Sequence, residues 1–220
     1  AAMWNFAAKN GFKYILNGGN ISSECVREPL EWHYHASDLR QIKDIHAKFG
    51  IRPLNTFPLA SIFKYRIYYK YIKGISVIKP LDYIPYEKEK AMQFLEKEFG
   101  WQRYAQKHYE SRFTRFYESY WLPERFGFDT RKVQFSSLIL TGQMTREEAL
   151  KELKKKPYDE STIHQDIEYI ATKLGITVEE LNVYMTMEKK THKDFKSQES
   201  IFLLGARVMR ALGLEKGGKR

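Results

Sequence analysis

Cysteine and long apolar runs are the features that this sequence has least of. Cys25 is the single cysteine among 220 residues, which excludes an internal disulfide and a zinc site built from cysteines of this chain. No apolar run approaches the roughly 20 residues that a helix needs to cross a bilayer. The first residues lack the basic and apolar segments of a signal peptide. We therefore expect no membrane span and a cytoplasmic location.

Positive charge and aromatic side chains, by contrast, are abundant. The formal net charge is +10 and the pI about 9.4, which favours nucleotides, nucleotide-linked sugars, nucleic acid or membrane surfaces as partners without choosing among them. Aromatic residues make up 15% of the chain, including 15 tyrosines. Such a content is typical of surfaces that stack on rings or bases, and equally of a tyrosine-rich boundary of the core.

Turn signals and hydrophobic periodicity predict an α/β part followed by helices. Before Gly100 we expect helices at about 3–10, 38–48, 61–73 and 85–99, with strands at 12–16 and 75–78. Beyond Gly100 the strand signals stop, and helices are expected at about 101–120, 132–140, 146–154, 163–173, 178–187 and 200–212. Thr145 with Glu148, and Thr177 with Glu180, have the spacing of capping boxes.

Alternation of helices and strands before Gly100 is typical of a parallel sheet with crossover helices. Two strands are too few to stand alone, so we expect the chain to begin inside a domain. The predicted domains are the C-terminal part of an α/β domain (1–99), a helical substrate-side domain (100–188), and a basic C-terminal helix and tail (189–220).

The junction after the first strand is the first candidate site. It reads Asn17-Gly18-Gly19-Asn20, with Glu24 just beyond. Ligands of parallel sheets bind at the carboxyl ends of strands, where glycines let the backbone approach a phosphate or a base. A tight turn with no ligand explains the same residues equally well.

The segment after Gly100 is the second candidate site. Its expected helix has an apolar stripe, formed by Tyr109, Phe113, Phe116, Tyr117 and Tyr120. The opposite face is polar and carries Lys107, His108, Ser111, Thr114, Arg115 and Glu118. One interpretation is a solvated face. The other is that His108 and Glu110 supply acid–base groups while the cations hold anionic oxygens.

Other side chains with reactive or metal-binding chemistry are weaker candidates for a functional site. His33 and His35 lie two residues apart, but no third metal ligand of the right kind is near them in the sequence. Cys25 has no evident base beside it, and His46 and His164 fall in ordinary helices. We expect these residues to be structural and the chain to hold no metal.

A spaced string of motifs resembles the N-acetyl sugar amidotransferases. It comprises Phe99-Gly100-Trp101, residues 107–116, Leu122-Pro123, Phe126-Gly127, Ser136-Ser137-Leu138-Ile139, Gly142-Gln143 and residues 145–150. The strand-end junctions, the second of which reads Lys79-Pro80-Leu81-Asp82, resemble the last two strands of the PP-loop ATP pyrophosphatase (adenine nucleotide alpha hydrolase-like) fold. The resemblance covers about residues 12–187, as the C-terminal portion of such an enzyme.

This resemblance implies an enzyme of bacterial O-antigen, pseudaminic acid or legionaminic acid biosynthesis. The cofactors it implies are ATP and Mg²⁺, and the acetamido oxygen of a free or nucleotide-linked N-acetyl sugar would attack the α-phosphate of ATP and release pyrophosphate. Ammonia from a separate glutaminase subunit would then give the acetamidino sugar.

The same resemblance assigns roles to residues at both candidate sites. Nucleotide binding falls on Gly18, Gly19, Asn20 and Glu24. Catalysis falls on Lys107, His108 and Glu110, and sugar binding on Ser111, Arg112, Arg115 and Arg131. Lysine and arginine at such sites stabilise charge that grows on phosphate oxygens.

Three departures from the family pattern stand out. The Ser-Gly-Gly-x-Asp-Ser loop that grips the pyrophosphate of ATP is absent, and so are the cysteine pairs of the family's N-terminal region. Thr130 and Gln134 stand where the family usually has lysine and histidine. Glutamine cannot replace histidine as a proton donor near neutral pH.

Two other interpretations of the sequence remain open. A basic nucleic-acid-binding module is favoured by the interleaved cations and tyrosines of residues 64–73, although no recognised RNA or DNA motif is present and we expect no sequence-specific binding. The other is an inert partial chain.

Overall fold

The computed structural model describes residues 1–104, 109–211 and 213. Its α-helices are α1 (Ala2–Lys9), α2 (Ile21–Glu24), α3 (Leu39–Phe49), α4 (Lys88–Phe99), α5 (Arg112–Phe116), α6 (Leu122–Phe126), α7 (Arg131–Leu140), α8 (Arg146–Leu153), α9 (Ile163–Leu174), α10 (Val178–Thr186) and α11 (Glu199–Ala211). The strands are β1 (Tyr14–Leu16) and β2 (Ser76–Ile78), π-helices cover Lys64–Ile72 and Tyr117–Trp121, and short 3-10 helices cover Pro80–Tyr83 and His192–Asp194.

Within the described residues the chain is mainly helical, with one small parallel sheet in which β1 pairs with β2. This order agrees with the expected α/β part followed by helices. The assignment to the PP-loop fold remains a proposal.

The chain divides into two compact units that are interleaved along the sequence. The first unit contains Ala1–Ile15, His33–Ile78 and the segment from Lys189 onward, and the second contains Leu16–Trp32 and Lys79–Glu188. The chain passes from the first unit to the second at the last residue of β1 and directly after β2. Both strand-end junctions therefore belong to the second unit. The division at Gly100 inferred from the sequence remains a prediction.

The core of the first unit forms where α1 meets the aromatic π-helix. Tyr69 is completely buried with Ala7, Ile15 and Ile75, and Trp4 stacks on its ring at 5.4 Å between centroids. The Tyr69 hydroxyl donates to Asn5 Oδ1 at 2.6 Å. A tyrosine buried this deeply needs such an acceptor, because an unpaired hydroxyl in the core is costly.

The core of the second unit gathers Phe116, Ile163, Ile170, Ala171 and Leu181. These come from α5, α9 and α10, whose apolar residues recur at helical spacing. The two predicted capping boxes are confirmed, since Thr145 and Thr177 each accept a hydrogen bond from the backbone N–H three residues on. Left-handed glycines end α4, α6 and α9.

The helix expected from residue 101 is wrong at its beginning. The described part of that segment has no helix before Arg112. Ser111 starts α5 by accepting a hydrogen bond from Thr114 N at 3.3 Å, and this local cap decides where the helix begins. The expected apolar stripe also divides, because Phe116 is 3% exposed whereas Phe113 is 50% exposed.

Candidate functional site

The two strand-end junctions are joined by a direct hydrogen bond. The backbone N–H of Ile21, at the start of α2, donates to Asp82 Oδ1 at 2.7 Å. Asn20 is buried and caps the same helix, with its Oδ1 accepting from Ser23 N at 2.8 Å. The predicted nucleotide junction is therefore an ordered turn whose polar groups are already in use.

Gly19 is where this turn has no room for a side chain. A Cβ there would lie 2.8 Å from Asn17 Oδ1, 3.2 Å from Glu24 Oε2 and 3.5 Å from Lys79 Nζ. The Gly19 N–H itself donates to Asn17 Oδ1 at 2.7 Å. By the same measure Gly18 lies in open space. The protein's own packing thus accounts for the need for glycine at position 19.

The junction carries one positive charge, that of Lys79, and nucleotide binding there remains a prediction. Its asparagine is occupied as a helix cap, and Glu24 brings negative charge to the same turn. Phosphate sites instead present several cations or free backbone N–H groups to the oxygens.

A cleft of about 280 Å³ lies beside this junction in the second unit. Its lining includes Ser23, Glu24, Val26, Glu28, Glu118, Thr130, Val133, Gln134 and Ser137. They come from α2 and the loop after it, from the π-helix that follows α5, and from the start of α7. We call this space the acidic cleft.

Motif residues of α7 and the turn after it hold one wall of the acidic cleft in place. Ser137 Oγ accepts from Val26 N at 3.0 Å. Thr141 Oγ1 and Gln143 Nε2 both donate to the carbonyl of Ser22, at 2.6 and 2.8 Å. The motifs containing Ser137 and Gln143 were noticed in the sequence, but their role in anchoring α2 was not predicted. Contacts spanning more than a hundred residues leave no local signal.

Carboxylates dominate the electrostatics of the acidic cleft. Glu24, Glu28 and Glu118 line it, and none of the described side chains in its lining is a lysine, arginine or histidine. Burial raises the pKa of Tyr117, and the charges of Glu28 and Glu118 raise it further. Acceptors of this kind suit a ligand rich in hydroxyl donors better than an anion.

Two predicted sugar-binding arginines converge on one buried carboxylate. Arg112 Nε lies 2.6 Å from Asp166 Oδ1, and Arg115 reaches both oxygens, at 2.6 and 3.0 Å. Asp166 is 3% exposed. These ion pairs attach α5 to α9 and engage Arg112 Nε together with Nε and Nη2 of Arg115 inside the protein.

Asp166 was missed by the sequence reasoning, although a signal for it exists. It lies between Ile163, Ile167 and Ile170 on the apolar side of α9. An acid in the middle of an apolar stripe has to find a cation or a set of donors when the stripe packs. That rule points to a buried ion pair, though not to its partner.

Arg131, also predicted to bind sugar, is buried among protein acceptors. Its Nε and Nη2 pair with Asp129, and its Nη1 donates to the carbonyls of Glu152 and Lys155 at the end of α8. It is 6% exposed. The observed contacts tie α7 to α8, and a contact of Arg131 with sugar remains a prediction.

Of the remaining predicted residues, the structure describes some and leaves others outside its described range. Lys107 and His108 lie outside the described residues. Glu110 is exposed, and Ser111 serves as the cap of α5. Gln134 lines the acidic cleft.

One of the two histidines considered as metal ligands packs against an aromatic ring. His35 stacks on Phe202 in the first unit, with 4.1 Å between ring centroids. The described residues contain no group of three histidine, cysteine, aspartate or glutamate side chains placed to hold a metal ion. Whether the purified chain holds a metal remains to be measured.

Comparison with known proteins gives one match. Residues 110–209 match the model of a family described as "LPS biosynthesis protein WbpG-like, C-terminal domain". No curated protein and no solved structure was found to match the chain. Among the described helices, none has the length and apolar character needed to span a membrane.

Proposed function

We propose that this chain is the C-terminal, sugar-side part of an N-acetyl sugar amidotransferase of bacterial surface polysaccharide biosynthesis. The observation that carries the proposal is the match of residues 110–209 to a lipopolysaccharide biosynthesis family. That match begins inside the motif string that resembles the amidotransferases. The reaction proposed for the longer enzyme converts an acetamido group to an acetamidino group.

The acidic cleft is the proposed place for the sugar. A pyranose presents several hydroxyl donors and carries no charge of its own, and carboxylates accept hydrogen bonds from hydroxyls strongly. Glu118 and Gln134 belong to the family-matched segment and line the cleft together with Glu24. This shared lining supports a sugar-binding role for the cleft.

The roles that the resemblance assigns to Lys107, His108, Glu110 and the sugar-binding residues belong to the same proposal. So do ATP with Mg²⁺, a glutaminase subunit that supplies ammonia, and a cytoplasmic location. For Arg112 and Arg115 the sugar-binding role can be proposed more specifically. Held by Asp166, they would be positioned rigidly and would offer a ligand only the donors left over.

A binding experiment on the purified chain tests the sugar site. N-acetylglucosamine is titrated against the chain and followed by ligand-observed NMR. We expect Glu118→Gln to weaken binding at least fivefold. Glu168→Gln, an equal change of charge at an exposed position of α9, should have no effect. Absence of binding to the wild-type chain, or equal effects of the two variants, would contradict the assignment of the cleft.

The nucleic-acid alternative has one observation in its favour. On the π-helix Lys64–Ile72, Tyr71 is 67% exposed and Lys70 Nζ lies 5.2 Å from the centre of its ring. An exposed aromatic ring beside a cation can stack on a base. Binding of this kind should be non-specific and collapse between about 50 and 200 mM salt. Tight binding of one RNA or DNA sequence at physiological salt would favour the alternative.

A further inference from the structure

A cleft of the first unit has the opposite character to the acidic cleft. Its volume is about 440 Å³, within the range of about 300–1,000 Å³ that small-molecule sites occupy. One wall is a face of α3, and the rest comes from Ser61 and the segment before α11. We call this space the basic cleft.

Three cations line the basic cleft, and two of them have no acidic partner among the described residues. Arg40, Lys43 and Lys196 all line it. Within the part of the chain that the structure describes, the side chains of Arg40 and Lys43 form neither an ion pair nor a hydrogen bond. Like charges facing one space repel each other, and a bound anion would remove that repulsion.

Asp44 is the acid in this lining, and its charge is already engaged. Its Oδ2 lies 2.8 Å from Lys48 Nζ and accepts from the backbone N–H of Lys196 at 3.0 Å. The hydrogen bond from Lys48, followed by that from the Lys196 backbone, lowers the pKa of Asp44. Asp44 therefore fixes the wall of the cleft and leaves the positive charge of Arg40 and Lys43 unopposed.

Two polar groups add to the cations. Ser61 Oγ accepts from Lys64 N at 3.2 Å, so its own proton remains to be donated. Gln198 also lines the cleft, and its Oε1 is buried without a hydrogen-bond donor among the described residues. Several donors suit an oxyanion with several oxygens, whereas an unsatisfied acceptor calls for a donor such as a hydroxyl group.

The frame of the basic cleft is ordered independently of any ligand. Asp38 is fully buried and caps α3, with its Oδ1 accepting from Gln41 N at 3.0 Å. Its Oδ2 accepts from Gln198 N at 2.6 Å and from the Tyr34 hydroxyl at 2.9 Å. The segment carrying Gln198 is thereby fastened to the start of α3.

We propose that the basic cleft is a binding site for a phosphorylated small molecule that also carries hydroxyl groups. Arg40, Lys43 and Ser61 contact the phosphate, and Gln198 accepts from a hydroxyl. A sugar phosphate and a nucleotide share this chemistry. The site consists of residues other than those of the acidic cleft, and it does not depend on the amidotransferase proposal.

Calorimetric titration of the purified chain tests the site with glucose 1-phosphate, ADP and inorganic phosphate as separate probes. We expect one or both of the organic phosphates to bind at least tenfold more tightly than inorganic phosphate, and the tighter one identifies the ligand type. The double variant Arg40→Ala with Lys43→Ala should lose at least tenfold in affinity for it. Gln198→Met should reduce the preference over inorganic phosphate.

Lys9→Ala with Arg52→Ala is the matched control, because it removes the same charge from exposed positions of the same unit outside the cleft. It should change affinity less than twofold, and melting curves should show that every variant is folded. The proposal is overturned if the wild-type chain binds none of the probes, if both double variants lose affinity equally, or if inorganic phosphate binds as tightly as the organic phosphates.

Discussion

The arginines of the two units are used in different ways, and the two clefts differ as a result. In the second unit Arg112, Arg115 and Arg131 are bound to protein carboxylates or carbonyls, and the cleft of that unit is acidic. In the first unit Arg40 borders its cleft without an acidic partner among the described residues. A net charge of +10 therefore does not show where positive charge is available to a ligand.

The largest expected effect is a difference in unfolding free energy between two arginine-to-alanine variants, one in each unit. Arg131→Ala should lower the free energy of unfolding by about 4 kcal/mol, because it leaves Asp129 without its cation and two carbonyls without a donor in a buried place. Arg40→Ala should change it by less than about 0.5 kcal/mol, as exposed substitutions usually do. Urea denaturation of both variants measures the difference, and similar losses would remove the distinction between the two units.

A second comparison is made within the second unit, between two phenylalanines of α5. Phe116→Ala should cost about 3 kcal/mol because it opens a cavity in the core. Phe113→Ala should cost less than about 1 kcal/mol, since Phe113 is 50% exposed and leaves little cavity. The same denaturation experiment applies. A larger loss for Phe113→Ala would restore the stripe expected from the sequence and contradict the described packing.

The smallest expected effect is the contribution of Tyr34 to stability, which should depend on pH. Tyr34 supports the frame of the basic cleft. Burial, together with Asp38, raises the pKa of Tyr34 to about 12. The protonated form is therefore favoured in the folded state, so its contribution to stability is complete below pH 10 and is lost as pH rises toward 12. The stability difference between wild type and Tyr34→Phe should shrink over that range. A constant difference, judged against Tyr71→Phe, would contradict the buried setting of Tyr34.

Local signals in the sequence predicted local structure well. The caps at Thr145 and Thr177 and the helix end at Gly100 depend on residues within one turn of each other. Such features are decided by backbone hydrogen bonds that neighbouring residues either satisfy or do not. The sequence alone was sufficient for them.

The candidate site was harder to predict because its geometry depends on distant pairs. Asp166 with Arg115, and Ser137 with Val26, are separated by 51 and 111 residues. Periodicity placed Arg115 on a polar face, but whether a polar face meets solvent, ligand or a buried acid depends on the element packed against it. Glu118 was placed on that face without any sign that it would share a cleft with Glu24.

Amidine formation by a longer enzyme that carries this chain as its C-terminal part is the most direct test of the account. The enzyme is supplied with an N-acetyl sugar, ATP, Mg²⁺ and ammonium, and the product is identified by mass spectrometry. The account predicts an acetamidino sugar, with turnover reduced at least tenfold by Glu118→Gln and unchanged by Glu168→Gln. A wild-type enzyme that forms no amidine, or a Glu118→Gln variant with normal turnover, would contradict it.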